Sequence, residues 1–284
     1  MKKLLILFFT IHLSAQSFIN ILDTKEIDLK SVNELSALAY DGKILYALSN
    51  LSVLHHFKID LQKDKIDSLK LIKTVKLKNK KDKDLKKKKS DSEGMVFVDG
   101  ELYTSFERKP RVNIYSLNGK KIKKYKIPKF LRDIQNYQGK NKALESITYN
   151  EKYGILLSPE KPLLNEDKNY HTIYSKKDSY KFKYTAKLTA LEFINENELL
   201  SIEREFSYFN FQRVITLSKI YLNRCNDNIC KSEVLAVFNS NSEINAENFE
   251  GLTKVGKNKF LMVSDDNDSI FQKTLLVLFE IKEN

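Results

Sequence analysis

Residues 91–111 read DSEGMVFVDGELYTSFERKPR. Two apolar runs rich in β-branched and aromatic residues flank Asp99-Gly100, a dipeptide that accepts the positive φ of a tight hairpin turn. Carboxylates stand at both open ends, Asp91 and Glu93 before the first run and Glu107 after the second. One hairpin decides no fold, but the pattern recurs. It is found again in NELSALAYDGKILYALSN (33–50), KALESITYNEKYGILLSPEK (142–161), TALEFINENELLSIEREF (189–206) and NFEGLTKVGKNKFLMVSDDND (248–268). Turn centres fall near residues 42, 100, 152, 197 and 257. The period, roughly 45 to 60 residues, suits one four-stranded propeller blade per repeat.

A two-sheet sandwich also holds many short strands, but it gives no reason for a motif at this interval. The expected fold is all-β, a β-propeller with five recognisable blades. A sixth, degenerate blade has room between Pro162 and Lys187 or in the two ends, so the count stays open. FINIL (18–22) and LLVLFEI (275–281) are placed to pair and close the circle, which removes the last free sheet edge. If each repeat is the inner hairpin of its blade, the open ends gather on one face near the central channel. Residues equidistant from a turn face each other across an antiparallel ladder. That rule pairs Glu93 with Glu107, Glu145 with Glu160 and Glu250 with Asp265, and the carboxylates form a ring.

The first fifteen residues, MKKLLILFFTIHLSA, carry the lysines, apolar stretch and small-residue end of a secretory signal peptide. The mature chain is then one propeller domain, 16–284, in the periplasm or secreted. No Cys follows the cleavage point to take a lipid, and no later apolar run is long enough to span a bilayer. Export leads to an oxidising compartment. The two cysteines, Cys225 and Cys230 in RCNDNIC, sit between the strand-like KIYLN and EVLAVF and read as a disulfide clamping one hairpin. A metal or redox pair is the competing reading, but there is no second Cys or His cluster to complete it.

A net charge of +12 suggests nucleic acid until it is located. Residues 73–90, KTVKLKNKKDKDLKKKKS, hold ten Lys against two Asp, which is +8 of the total. A lysine run without interleaved aromatics or arginines reads as a solvated, self-repelling loop, not a nucleic-acid patch. The aromatic residues are expected in sheet packing.

ELSALAYD, DSEG with FERKPRVNIY, NKALESITY with LLSPE, LLSIEREF, and the closing NFEGLT, LMVSDDND and QKTLLVLFE together resemble the family of the esterase-like activity of phytase, the phytase-like domain of exported bacterial proteins. The resemblance covers nearly the whole mature chain and implies a β-propeller with phosphoester hydrolase activity. Asn50 stands where Asp is common in that family, and Ala37 where Gly is usual. Ala190 precedes the Leu-Glu of the fourth copy, whose Glu192 sits one position off the other first-strand acids. Those two blades are expected to contribute less to the ring.

Carboxylates crowded at one channel must be protonated, salt-bridged or bound to a cation. Oxygen donors without His or Cys favour Ca2+ or Mg2+ over zinc. The candidate ligands are Glu93, Glu107, Glu145, Glu160, Glu203, Glu250, Asp265 and Asp266. The alternative makes these acids struts that accept backbone N–H groups from the next blade, neutralised by Arg108 or Arg204. In an enzyme, Glu93, Glu145 and Glu250 would be the catalytic ligands or general base, with Arg108, Arg204 and Arg111 holding a small anionic ester. No nucleophile elbow, P-loop or dinucleotide fingerprint is present. His55 and His56 read as surface residues. The expected protein is a monomer with no nucleic-acid partner and no transmembrane anchor. The other function class is a non-catalytic, cation-stabilised propeller that binds a protein or polymer.

Overall fold

Strands that are apolar on both faces must be covered on both, and a propeller covers them by stacking each sheet between two others. A computed structural model, described for residues 18–86, 90–207, 212–239, 242, 244, 246–269 and 271–282, arranges twenty strands in this way. Residues 1–15, read from the sequence as a signal peptide, lie outside the described residues. β1 (Ile19–Glu26) is followed by blade 1, made of β2 (Leu35–Tyr40), β3 (Ile44–Ser49), β4 (Val53–Gln62) and β5 (Lys65–Lys76). Blade 2 is β6 (Ser92–Val98), β7 (Glu101–Phe106), β8 (Arg111–Ser116) and β9 (Lys121–Tyr125). Blade 3 is β10 (Leu144–Asn150), β11 (Gly154–Pro159), β12 (Tyr170–Tyr174) and β13 (Ser179–Lys183). Blade 4 is β14 (Lys187–Asn195), β15 (Glu198–Ser207), β16 (Gln212–Asn226) and β17 (Ile229–Phe238). Blade 5 is β18 (Asn248–Lys254), β19 (Lys259–Asp265) and β20 (Leu275–Ile281), with β1 on its outer edge.

Blades 3 and 4 form one continuous sheet because their outer strands meet in a parallel bridge, Lys181 to Ile229. The inner strands β2, β6, β10, β14 and β18 touch in cyclic order, so the described ring closes with five blades. β1 pairs with β20 from Ile19 opposite Ile281 to Glu26 opposite Leu275, which joins the two ends as the sequence suggested. Five apolar clusters fill the five spaces between blades. Phe249, Phe260 and Ile202 anchor one, and Phe106, Tyr115 and Leu48 another.

All five inner strands share an irregularity. The ladder register slips at Ser36, Glu93-Gly94, Glu145, Thr189 and Glu250, one β-bulge at the same place in every blade. The residue after the bulge is small each time: Ala37, Gly94, Ser146, Ala190 and Gly251. The reason is crowding at the axis. A Cβ on Gly94 would lie 2.9 Å from the backbone oxygen of Glu145, and one on Gly251 3.1 Å from the backbone of Ala37. The bulge also corrects the pairing expected from symmetry about the turns. The backbone N–H of Glu107 bonds Asp91, that of Glu160 bonds Ala143, and Asp265 is in register with Asn248. Glu93, Glu145 and Glu250 are therefore displaced from the ladder, not paired across it.

Each junction between blades is stitched near the bulges. Ser36 Oγ donates to Ser92 O (2.7 Å), Ala143 N to Glu107 Oε1 (3.2 Å) and Leu188 N to Glu160 O (3.0 Å). Thr189 Oγ1 donates to Phe249 O (2.9 Å), and Glu34 N to Asp266 Oδ1 (3.0 Å).

The lysine-rich segment departs from a free solvated loop. Its first residues belong to β5, Leu77 is buried, and Lys78 exchanges backbone bonds with Gly119 and Lys121 beside blade 2. Residues 87–89 lie outside the described set. His55 and His56 are buried, not on the surface: His55 Nδ1 is 3.1 Å from Thr74 Oγ1, and His56 Nε2 is 2.7 Å from Leu117 O. Cys225 and Cys230 pair across β16 and β17 as the expected disulfide. Among the described residues, no helix is long and apolar enough to cross a membrane.

Gly94→Ala should lower unfolding stability by about 1–3 kcal/mol, the usual cost of overpacking. Urea unfolding of the two proteins measures it, and an unchanged midpoint would contradict the crowded axis.

Candidate functional site

A bulge points its displaced side chain away from the ladder, and here that direction is the axis. Ser36, Glu93, Glu145, Thr189 and Glu250 line one cavity of about 10 Å3, room for a single water-sized occupant. The hydroxyls of Ser36 and Thr189 are bonded to neighbouring strands, which leaves three carboxylates as the ionisable groups of this tier. Burial raises the carboxyls of Glu93 and Glu145 well above the ordinary range. The charge of Glu250 adds to the rise at Glu93, and that of Glu93 to the rise at Glu145.

A second tier lies at the strand ends. Asp91, Glu93 and Glu107 each offer an oxygen, and these oxygens lie within 4.8 Å of one another. Arg108 Nε reaches Asp91 at 2.8 Å. Glu160 is held by Lys142 (2.8 Å) and Lys187 (3.4 Å). In blade 4 the equivalent position holds Arg204, in register with Lys187, and its guanidinium meets Glu250 Oε1 at 2.8 Å. Asn248 Nδ2 donates to the same Glu250 oxygen (2.8 Å). Burial first and Asp91 second push the Glu107 carboxyl up to about 8; burial and then Glu250 push Asp265 up to about 7.

Not every expected residue joins this centre. Glu203 is in register with Leu188, one residue short of the position that Glu107 and Glu160 occupy, so its side chain turns into the blade. There it accepts from Thr185 and Ser201 with His171 4.0 Å away, a buried strut in place of a metal ligand. Asp266 ties the backbone N–H groups of Glu34 and Asp268 and the Thr274 hydroxyl, which joins blade 5 to blade 1. Glu192 points elsewhere, to Thr148 Oγ1 at 3.2 Å. Arg108 and Arg204 stand on non-adjacent blades and line different cavities. The sequence reading missed Asp91 as a member of the cluster, the hydroxyls Ser36 and Thr189, and the cations Lys187 and Arg213. The available signal was a polar residue followed by a small one at the start of every first strand.

Beside Arg204 a cavity of about 230 Å3 is lined by Lys187, Arg204, Phe206, Arg213, Asn248 and Asn267. Burial together with the neighbouring charge of Arg204 lowers the proton affinity of Arg213. The donor set of the channel is oxygen only, and oxygens sharing one Ca2+ sit at most about 5 Å apart. The Asp91, Glu93 and Glu107 spacing fits that requirement.

Five blades around a carboxylate-lined mouth define the molecule as an acid-centred β-propeller. The family described as Phytase-like, esterase-like activity of phytase, matches residues 30–268, and the chain belongs to it. No curated protein matches the sequence. Among solved structures, the chain is similar to the PQQ-bound aldose sugar dehydrogenase of Streptomyces coelicolor. Identity is 10%, coverage is 94% of this chain and 98% of that one, and the TM-score is 0.52. A Thermus thermophilus protein described as a putative oxidoreductase (glucose dehydrogenase) shares 9% identity over 90% of this chain and 99% of that one, TM-score 0.44. At such identity the first likeness speaks for the propeller fold alone.

The raised carboxyls set a pH dependence for the metal-free protein. A folded value of about 8 for Glu107, against 4.5 as its ordinary one, means that the native state keeps a proton the unfolded chain has released. Stability therefore falls as pH rises through this window. Buried His55 and His171, both lowered to about 4 from 6.5, act in the opposite sense below pH 6.5, so the interval above neutrality is the clean one. With EDTA present, the melting temperature should drop between about pH 7 and 8.5. A rise over that interval would contradict the buried carboxyl cluster.

Proposed function

We propose that this is an exported, monomeric propeller that hydrolyses small phosphoric esters with a divalent cation, Ca2+ or Mg2+, held at the carboxylate mouth. One observation carries the reading. Arg204 pairs with Glu250 of the acidic cluster and also lines the cavity that Lys187 and Arg213 share, so an anion pocket and a cation centre have a common wall. Such a neighbourhood suits a substrate whose negative group must be held beside a hard metal.

Glu93 with Asp91 and Glu107 would hold the ion, and Glu250 would add charge beside them. A bound divalent cation supplies Lewis-acid polarisation of a phosphoryl oxygen. Arg204, Lys187 and Arg213 orient the ester by charge-assisted hydrogen bonds. Glu145, whose buried carboxyl is raised, would take or hold a proton. The double use of Glu107 and Asp266 as interblade struts favours the second reading, a non-catalytic propeller in which the cation is structural and the face binds a protein or polymer.

Saturating Ca2+ should stabilise the mature protein by about 2.7 kcal/mol at a hundredfold excess over Kd, seen as a higher melting temperature. Glu93→Gln should remove most of that gain, and Arg204→Ala should leave it while abolishing turnover of p-nitrophenyl phosphate and its diester. No metal-linked stabilisation would sink the cation centre. Stabilisation with no hydrolysis of either ester would favour the binding module.

A further inference from the structure

A second cavity, about 870 Å3, lies outside the channel against β8 and β9. Val112 and Ile127, both buried, contribute to an apolar lining that Pro110 and Tyr125 extend. Seven lysines and arginines line the same space against one lining carboxylate, Asp133, and of the seven Arg108 is paired with Asp91 outside it. That carboxylate is already engaged, capping the turn at Ile134–Asn136 by accepting from Gln135 N at 3.0 Å. The guanidinium of Arg111 is stacked 3.8 Å over the Phe106 ring, which holds its plane in one orientation. Asn79 and Leu85 from the lysine-rich segment form another part of the wall, and the Lys78–Gly119 bond (2.8 Å) fixes that segment there.

Cations gathered around a partly apolar cleft repel one another, and an anion relieves the repulsion. The volume is that of a small-molecule site. With one tyrosine, the lining is a poor stacking platform for nucleic-acid bases. We infer that this cavity on blade 2 is a binding site for a small molecule carrying two or more phosphate or sulfate groups on a carbon body. Arg111 and Arg132 would grip the oxyanions, Lys124 and Lys126 would add charge at the rim, and the apolar lining would take the body. The site is independent of the proposed hydrolytic centre.

Calorimetric titration of the mature protein with fructose 1,6-bisphosphate and, separately, sucrose octasulfate tests this in metal-free buffer, because phosphate esters bind divalent ions. At least one probe should bind with a micromolar Kd. Losing a charge-assisted contact should weaken binding by about tenfold or more in Lys124→Gln/Lys126→Gln and in Arg132→Gln. These side chains are exposed, so the variants should fold, which circular dichroism checks. Glu250→Gln should bind like the wild type. Preference between the probes tells phosphate from sulfate, and either supports the site. Absence of binding by both probes at about 1 mM, affinities unmoved by the variants, or tighter binding of duplex DNA would overturn it.

Discussion

The structure depends on how little room there is at the axis. Five inner strands meet where a Cβ on Gly94 or Gly251 would already collide with a neighbour. A regular ladder would send a side chain of ordinary size into that space, and overpacking is costly. The bulge in each inner strand resolves this by placing a small residue against the next blade and turning the preceding polar one to the channel. Crowding thus creates the ring of Ser36, Glu93, Glu145, Thr189 and Glu250 as a by-product of closure.

Closure and charge are coupled through the same segments. Glu107 accepts from blade 3, Thr189 donates to blade 5, and Asp266 accepts from blade 1. The acids are therefore not free to move apart when they repel. Fixed carboxylates either keep protons or gain a counter-cation, and the raised carboxyls of Glu93, Glu107 and Glu145 express that choice. Contacts from neighbouring blades thus hold the crowded carboxylates of blades 2, 3 and 5 in place.

The architecture was legible because turn residues and strand runs repeat at blade spacing, and each turn lies where the sequence placed it. Closure by the two chain ends was also readable from their apolar runs. The details of the site were not, and one residue was enough to hide them. Counting outward from a turn assumes an unbroken ladder, so a bulge shifts every pairing beyond it. Glu203 looks like a ring acid on that count, yet it is one position out of phase, and a strand period of two turns it inward. His55 and His56 misled for another reason: neutral imidazoles bonded to Thr74 and Leu117 bury well, and residue type alone does not mark that.

Blade 4 departs from the repeat in a way that gives the channel mouth a direction. At about 4 Å and an effective dielectric of 20, each pair of like charges costs about 4 kcal/mol. Five glutamates around a space that holds one water would multiply such pairs beyond what burial allows. Thr189 removes one, and Arg204 in the upper tier replaces another acid with a cation. Acids of blades 2 and 3 then sit beside the cations of blade 4 at the mouth, where Lys187 reaches Glu160 on one side and Arg204 holds Glu250 on the other. A uniform ring would set only acids against one another, whereas this broken one sets carboxylates and cations side by side. Blade 1 also lacks a ring acid, with Ser36 there, but blade 4 is the repeat that adds a cation and so makes the face chemically polar.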